Sequence, residues 1–578
     1  MKRAAKGWWV TSSVVAAAVV AVVGYARHQV PSGAAKTDRQ STVVVKASAS
    51  STRPRAGGSI SLDVLANKVD LDPASAFDPV SQPLVHQLYD QLVTYDADSR
   101  KVIPMAAQSW TVSKDGRTYT FHLRKGMRFW NGDAVTAQSF VDELKRVLNR
   151  KLKPYPCPAP SFFFSIDGAP AFYNGKAKSI AGVKVPSPYT LVFRLSKPQA
   201  DFLKVLALPF LSAVDDAGRP SLGHAMGLQM GSGPFQPVRM SAKRWVFYRN
   251  PHYWRTDQWG GHLPYLQEVV LHPVQNPDLA AIDCEQGLVA WISPSLLADN
   301  RISPASWRRL TSQPTLRSGA AVKPGDTIWY LGMNVKKKPF TDVDVRRAIA
   351  YSVDRTALAR ASGSLTAATG LLPPETAGQE GVIAKLLPFD LKKAKALVQR
   401  SGHGHRVQVS LWSSSGDGQS MVVKKIGQML TEAGFAVKQR RVSFPEFLRA
   451  QETGQAGVFF EGWREDLPGA DDFLGLFQSD NPPVLNPTQY HRAQIDHWLA
   501  AAESSASRQR RAELYQKVST KIIQDAVIVP IGYPLLQYVV QPGIHGFTAV
   551  PGIPTSWAQV WVERKSGSPA RTGKPRHD

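Results

Sequence analysis

The residues best equipped for chemistry lie in one stretch, residues 459–473, which reads FFEGWREDLPGADDF. Glu461, Glu465, Asp466, Asp471 and Asp472 crowd their carboxylates around Arg464 and the indole of Trp463. Paired carboxylates serve glycoside hydrolysis when one is held as the acid and the other ionised. A single desolvated carboxylate serves equally to hold a ligand's ammonium group, which needs an opposite charge and acceptor lone pairs once it leaves water. A third reading is a turn in which Asp466 bonds nearby backbone amides, as Asp often does in loops. Val458, Phe459 and Phe460 have the character of a buried strand end, and Gly462 with Pro468-Gly469 places the intervening residues on a turn and not within a helix.

No other group of residues completes a catalytic set. His403-Gly404-His405 has two metal-ligand side chains but sits among glycines with no further ligand nearby, which favours a solvent-exposed turn. Ser413-Ser414-Ser415-Gly416 lacks the Gly-x-Ser-x-Gly spacing of a nucleophile elbow. No Walker A sequence occurs, so any ATP hydrolysis belongs to another subunit. Cys157 and Cys284 are the only cysteines, which excludes a disulfide framework and a cysteine-rich metal site; their spacing leaves pairing open. A protein without catalysis, metal or cofactor is expected, and the carboxylate cluster reads as a binding element before a hydrolytic one.

The elements that must position such a site are clearest in residues 119–149. Tyr119, Phe121 and Leu123 alternate with Thr120, His122 and Arg124, the two-residue rhythm of a half-buried strand. Asn131-Gly132-Asp133 breaks the run with turn chemistry. Thr136 can then cap a helix on which Phe140, Val141, Leu144, Val147 and Leu148 recur at helical spacing. Strand-like runs at 190–195 and 245–249 and helix-like runs at 345–353 and 508–523 continue the alternation, with no internal repeat. A chain of 578 residues, 43% hydrophobic and 20% charged, is globular and long enough for two or three domains.

The same block resembles the signature of the family 5 extracytoplasmic solute-binding proteins, the peptide-, dipeptide- and nickel-binding components of ABC importers. Leu71-Asp72-Pro73 followed by Leu88-Tyr89-Asp90-Gln91-Leu92-Val93 is similar to the family's "LDP, then LYDGL" opening. Residues 104–110 resemble its P-x-L-A-x-S-W, with Ala106 in place of Leu. Gly231-Ser232-Gly233-Pro234-Phe235 and Arg249-Asn250-Pro251-His252-Tyr253-Trp254 resemble its "GTGPY…RNPxYW" pair. Tyr330-Leu331-Gly332-Met333-Asn334, Pro339-Phe340, Val345-Arg346-Arg347-Ala348 and Asp354-Arg355 resemble its "YLGFN…PF…VRxA…DR". The matches keep their order and spacing over residues 60–562.

What this resemblance implies is a bilobed α/β protein of the periplasmic-binding-protein type (type II, cluster C), with a small domain inserted in the first lobe. The first lobe would comprise residues 59–91 and 200–304, the inserted domain 92–199, the second lobe 305–533, and a return to the first lobe 534–563. The function implied is capture of short peptides between two lobes and delivery to an ABC permease and its ATPase, by a monomer. Another solute, such as a nickel chelate, an opine or an oligosaccharide, and a membrane-tethered peptide receptor uncoupled from transport are the competing readings. In peptide-binding members a W-x-x-D supplies the Asp that pairs with the ligand's α-amino group, and the pattern falls here on Trp463 and Asp466. Backbone edges at Gly462, Trp463 and Arg464 in one lobe and Phe77, Asp78 and Pro79 in the other would pair with the peptide as an added strand. Pro79 departs from the pattern because it has no amide hydrogen to donate, and Trp463 reads as either pocket wall or core. Where some members place an Arg for the ligand's C-terminal carboxylate, this chain has Phe460.

The formal charge of +25 is unevenly spread. Residues 1–58 carry nine Lys or Arg against one acid and residues 564–578 five against one, so +12 lies in the two ends and +13 on the rest. With no zinc-finger spacing, RNA-binding signature or concentrated basic helix, this excludes a nucleic-acid partner and fits a basic surface near anionic lipid heads. Lys2, Arg3 and Lys6 precede an uncharged apolar run, residues 7–25, closed by Arg27, which is the layout of an export signal or membrane anchor at residues 1–30. No Cys follows that would take a lipid, and no small-x-small cleavage site directly follows the run, so an uncleaved anchor is expected, with the folded part on the outer face of the cytoplasmic membrane. Residues 31–58 read as a flexible tether and 564–578 as a disordered basic tail.

Overall fold

The computed structural model describes residues 45–46, 53–153, 156–215, 225–298, 300–374, 376, 382–401, 406–415, 419–483, 485–505 and 507–563. The N-terminal anchor segment, most of the tether, the basic tail and His403-Gly404-His405 lie outside the described residues. No helix among the described residues is long and apolar enough to cross a membrane.

Buried apolar side chains gather into separate cores. One, containing Leu62, Tyr89, Phe235, Trp245, Trp291, Phe547 and Trp557, joins the N-terminal part of the chain to residues 538–560. Its sheet has the strand order 235–240, 245–249, 268–273, 59–64, antiparallel except for the last pair. Trp291 packs on Phe547 and Trp557 at ring distances of 4.8 and 6.1 Å, so the returning segment is part of this lobe's core and not an appendage.

A second core belongs to the inserted domain. The strand Thr118–Leu123 buries Tyr119, Phe121 and Leu123 and leaves His122 exposed, and it pairs on one side with Ala107–Val112 and on the other with Thr190–Arg194. Asn131 Oδ1 accepts from the Asp133 amide at 3.0 Å to make the turn. The helix Ala137–Val147 begins in a capping box between Thr136 and Ser139 and turns Phe140, Val141, Leu144 and Val147 inward. Phe202, Val205, Leu206 and Phe210 also pack in this core, although they follow the sequence boundary at Gln199.

The third core fills the second lobe, around a sheet in which Ile528–Val540, Thr327–Met333, Val458–Arg464, Gln408–Ser414 and Ala436–Val442 lie side by side. Arg346 donates to the carbonyls of Phe340 and Asp525 at 2.7 and 2.8 Å, and Arg355 to that of Pro530 at 2.6 Å. Arg355 thus ties the helix it starts to the strand Ile528–Val540, and Arg346 ties the helix Val343–Ser352 to the C-terminal cap of the helix Arg508–Gln524. Gly332 is required by crowding, since a Cβ there would lie 2.2 Å from the Phe459 ring.

Three of the sequence signatures meet at one junction between the first lobe and the inserted domain. Gly233 N donates to Leu88 O at 2.9 Å, and a Cβ on Gly233 would fall 2.4 Å from the Leu88 carbonyl carbon. Asn250 Nδ2 donates to Gly233 O at 2.9 Å, while Ser232 Oγ and Trp254 Nε1 both reach Asp90 Oδ2 at 3.1 Å. Burial pushes Asp90 up to about 7, and these neutral donors hold it without a cation at bonding distance. Alongside, Arg146 from the inserted helix bonds Asp72 and Glu143, and the Tyr89 hydroxyl donates to Leu71 O at 2.8 Å. Arg146→Ala leaves two buried carboxylates without their cation and is expected to destabilise this junction by about 3–5 kcal/mol, read as a lowered midpoint in urea unfolding.

Candidate functional site

The strand Val458–Arg464 is bonded along its whole length to Thr327–Met333 on one side. On the other side Gln408–Ser414 covers it only at Val458 and Phe459. Among the described residues no strand continues along that edge from Phe460 to Arg464. The strand then leaves the sheet into an acidic loop that faces the first lobe.

The loop is organised from inside by Asp472. Its Oδ2 accepts from Trp463 Nε1 at 2.9 Å and from the Asp466 amide at 3.1 Å. Burial holds the Asp472 carboxyl well above the usual range, with the Asp466 charge adding to the effect. Glu465 N donates to Asp326 O at 3.0 Å, and Glu465 Oε1 accepts from Gly469 N at 2.7 Å, closing the turn. Gly469 is needed for closeness, because a Cβ there would lie 2.4 Å from Asp471 Oδ1 and 2.5 Å from Lys204 Nζ. Leu467 anchors the loop in the inserted domain's core, so this second-lobe segment is gripped from across the cleft.

Two ion pairs complete the grip. Arg100, at the tip of the hairpin formed by Val93–Tyr95 and Val102–Pro104, donates to Glu465 Oε2 at 2.9 Å and to Pro551 O at 2.8 Å. One guanidinium therefore touches the inserted domain's own hairpin, the second lobe and the returning segment. Lys204 Nζ stands 2.6 Å from Asp201 and 3.2 Å from Asp471. Burial pushes Glu465 up to about 7 against the pull of Arg100, and Asp471 up to about 8 with Asp201 beside it.

A cavity of about 150 Å³ lies between the lobes, lined by Phe77 and Pro79 from the first, Asp326, Arg464, Glu465 and Asp466 from the second, and the returning residues 549–555. The returning residues are fixed by Gln87, which donates to Thr555 O at 2.8 Å and accepts from Trp557 N at 2.9 Å. Phe77 stacks on Phe210 at 5.9 Å. Burial drives His86, also on this wall, down to about 4, so it is neutral at pH 7 and Arg464 is the cavity's cation. Arg464 Nε lies 3.5 Å from Asp326 Oδ2. Asp466 is pushed up to about 6 by burial, which Arg464 opposes and Asp326 reinforces, and it remains ionised at neutral pH. Among the described residues its carboxylate has no hydrogen-bond donor, unlike those of Glu465 and Asp472.

Of the residues singled out by sequence, the structure therefore brings Phe77, Pro79, Arg464 and Asp466 to one cavity. Gly462 and Trp463 lie outside its wall: Gly462 is backed by the Trp329 ring, and Trp463 packs against the second lobe's core. Asp78 Oδ1 accepts from the amides of Val80 and Ser81 at 3.0 and 2.9 Å and so starts the helix Ser81–Leu88. Sequence reasoning missed Arg100, Asp326 and residues 549–555, and it counted Asp472 among the loop's carboxylates without its role as the internal acceptor. Nothing local distinguishes Asp472 from Asp471, and Arg100 lies 365 positions from its partner.

A family model described as bacterial extracellular solute-binding proteins, family 5 middle, matches residues 101–483. The chain belongs to this family. The family 5 protein is 27% identical over 508 residues to the glutathione-binding protein GsiB of Salmonella paratyphi A, covering 84% of this chain and 91% of that relative. Its fold superposes on Escherichia coli MppA, a murein tripeptide binding protein, with a TM-score of 0.68 at 21% identity, over 89% of this chain and all of the other (100%). Helicobacter pylori DppA in complex with the peptide STSA gives 0.67 at 22% identity, over 88% and 99% of the two chains. At these identities the superpositions establish the bilobed fold.

Two outcomes follow for the acidic loop. Asp472→Ala strips the Trp463 indole and the Asp466 amide of their acceptor and is expected to cost about 1–3 kcal/mol in unfolding free energy, with Asp472→Asn costing less. Because the folded pKa values of Glu465 and Asp466 are raised, the folded state holds more protons than the unfolded chain between their ordinary values and about 7. Their contribution to stability is fully present below about pH 4 and is lost as pH rises to about 7. Thermal unfolding followed against pH is expected to show this slope, reduced in Glu465→Gln.

Proposed function

We propose that this family 5 protein captures short peptides between its lobes and presents them to an ABC permease and ATPase at the outer face of the cytoplasmic membrane. The observation that carries the reading is the meeting, in one cavity, of Asp466 at the end of an uncovered strand edge with Phe77 and Pro79 of the opposite lobe. Asp466 is an ionised, partly desolvated acceptor with no donor among the described residues, and a peptide's α-ammonium group supplies one. The free edge from Phe460 to Arg464 offers backbone groups to an extended ligand, which gives affinity without reading its side chains. Gly462 and Trp463 serve through that edge, and Asp78 serves by fixing the turn, on which Pro79 lies, between Phe77 and the helix Ser81–Leu88. Pro79 contributes apolar surface, having no amide to donate.

Support comes also from the relatives, whose names specify glutathione, a murein tripeptide and a peptide complex. The first is a binder of a peptide-like molecule, which favours peptides over a nickel chelate, an opine or an oligosaccharide. Ligand bridging both lobes stabilises the closed arrangement, so closure and binding are one equilibrium. Residues 1–30 would hold the protein at the membrane.

The deciding experiment is native mass spectrometry of the full-length protein, purified without denaturation, with release and sequencing of what is bound. A set of short peptides is the expected result, and one defined non-peptide mass overturns the reading. The role of Asp466 is checked by calorimetry: Asp466→Asn is expected to weaken a free-amine peptide about tenfold to a hundredfold, and N-acetylation of the peptide to weaken wild type similarly. Affinity in wild type falls as pH drops through about 6, where Asp466 takes up its proton, and Asp466→Asn lacks that fall.

A further inference from the structure

The segment that follows the inserted domain's last strand meets the second lobe at a contact of its own. Ala200 N donates to Glu503 O at 3.1 Å, and Lys197 Nζ lies 3.5 Å from Glu503 Oε1. Asp201, just before the helix Phe202–Val205, and Lys204 within it face Asp471 of the helix Ala470–Leu474. Lys204 Nζ stands 2.6 Å from Asp201 and 3.2 Å from Asp471, and the two carboxyl groups hydrogen-bond each other across the lobes.

A hydrogen bond between two carboxyl groups requires a proton on one of them, because two carboxylates have only acceptors. Burial pushes Asp471 up to about 8, and the bond to Asp201 adds to the effect. On Asp201 the effect of burial is overcome by the bond from Asp471 and the Lys204 charge, which bring that carboxyl below its ordinary value. With the proton in place, the ammonium of Lys204 faces one negative charge. Without it, two carboxylates repel each other across the same contact.

The neighbouring elements leave this count intact. The helix Arg508–Gln524 contributes Tyr515, whose hydroxyl burial drives upward, and Arg511, which acts on Asp201 and donates to Ser505 O at 2.8 Å. The hairpin of the inserted domain contributes Tyr95, also raised by burial, and Arg100, held by Glu465 at 2.9 Å. Tyr119 donates to Gln199 O at 3.2 Å. The tyrosines stay neutral and the arginines charged while Asp471 titrates. A chamber of about 560 Å³ lined by Lys204, Asp471, Arg511 and Tyr515 gives solvent a path to the shared proton.

We propose that this contact is a proton-dependent latch: one proton shared by Asp201 and Asp471 lets Lys204 bind the inserted domain to the second lobe, and its loss frees the lobes to part. The latch does not rest on the peptide reading, since Lys197, Asp201, Lys204, Asp471 and Glu503 are not among the described residues that line the interlobe cavity. Once apart, both acids return to water and to ordinary values of about 4. The latched form therefore holds the extra proton from about pH 4 to about 8, and its advantage is complete below that range and lost as pH rises through it.

The test is the distance between spin labels on the full-length protein, with bound ligand removed and its absence confirmed by native mass spectrometry. Cys157 and Cys284 are buried, so labels go to Lys178→Cys in the inserted domain and Lys424→Cys on the helix Ser420–Glu432, both exposed. Glu465, raised to about 7, adds a slope of its own, so the series is run in Glu465→Gln. The ratio of latched to open distances is expected to fall about tenfold per pH unit up to about pH 8 and to level off above it. In Asp471→Asn the fall disappears, and in Asp201→Asn it ends at a lower pH, because Asp471 loses the acceptor that holds its proton. A ratio that does not change with pH, or a fall left unchanged in either variant, overturns the latch and leaves the peptide reading as it stands.

Discussion

The thirteen residues of Ile528–Val540 form one uninterrupted strand that both lobes hydrogen-bond to. Its first part pairs with Thr327–Met333, its middle with Leu365–Ala367, and its last part with Ala320–Pro324 and Trp291–Ile292. The chain passes between the lobes beside it, near Gly325, whose amide donates to Pro534 O at 2.7 Å. A shared ladder fixes the lobes' edges at this seam while leaving their far faces free to approach. The interlobe cavity lies off the end of the seam because the strand Val458–Arg464, two places along the same sheet, runs out toward the opposite lobe.

Around this frame, buried acids fall into two kinds. Asp90 and Glu461 are each pushed up to about 7 by burial and are held by neutral donors, Ser232 and Trp254 for the first, Tyr330 and Gln451 for the second. Burial favours the uncharged form of each and the neutral donors the charged form, all within one body of the protein. Glu465 and Asp471 are also raised, but each bonds a cation that belongs to a different body, Arg100 and Lys204 respectively. Their pairing depends on how the bodies sit, as does that of Lys197 with Glu503 at 3.5 Å. Asp466 belongs to neither kind, since it shares their burial and lacks their partners.

Three of the family signatures lie apart from the cavity wall. The Leu-Tyr-Asp, Gly-Ser-Gly-Pro-Phe and Arg-Asn-Pro-His-Tyr-Trp segments lock onto one another through Asp90, Asn250 and the close approach of Gly233 to Leu88. They build the floor on which the helix Ser81–Leu88 and the returning residues rest, and none of them is among the described residues that line the interlobe cavity. A strong sequence signal thus marks the scaffold, where backbone crowding admits few residue types.

What the sequence determined by itself was local and periodic. The two-residue alternation at Tyr119, Phe121 and Leu123, the cap at Thr136 and the helical spacing from Phe140 to Val147 each report a neighbour relation within a few residues, and the structure repeats them. Pro468-Gly469 located the acidic loop for the same reason, but Gly462 lies within the strand Val458–Arg464, paired with Trp329, and not on the turn expected of it. Only tertiary structure decided which carboxylates of that loop face the cavity and which the core, because Asp466 and Asp472 differ in what lies across from them and not in their neighbours along the chain. It also decided that Asp78 starts a helix, that Trp463 packs inward and that Arg100 bridges three bodies. Charge pairing and cavity walls are made by residues hundreds of positions apart, and no pattern of spacing along a chain encodes that meeting.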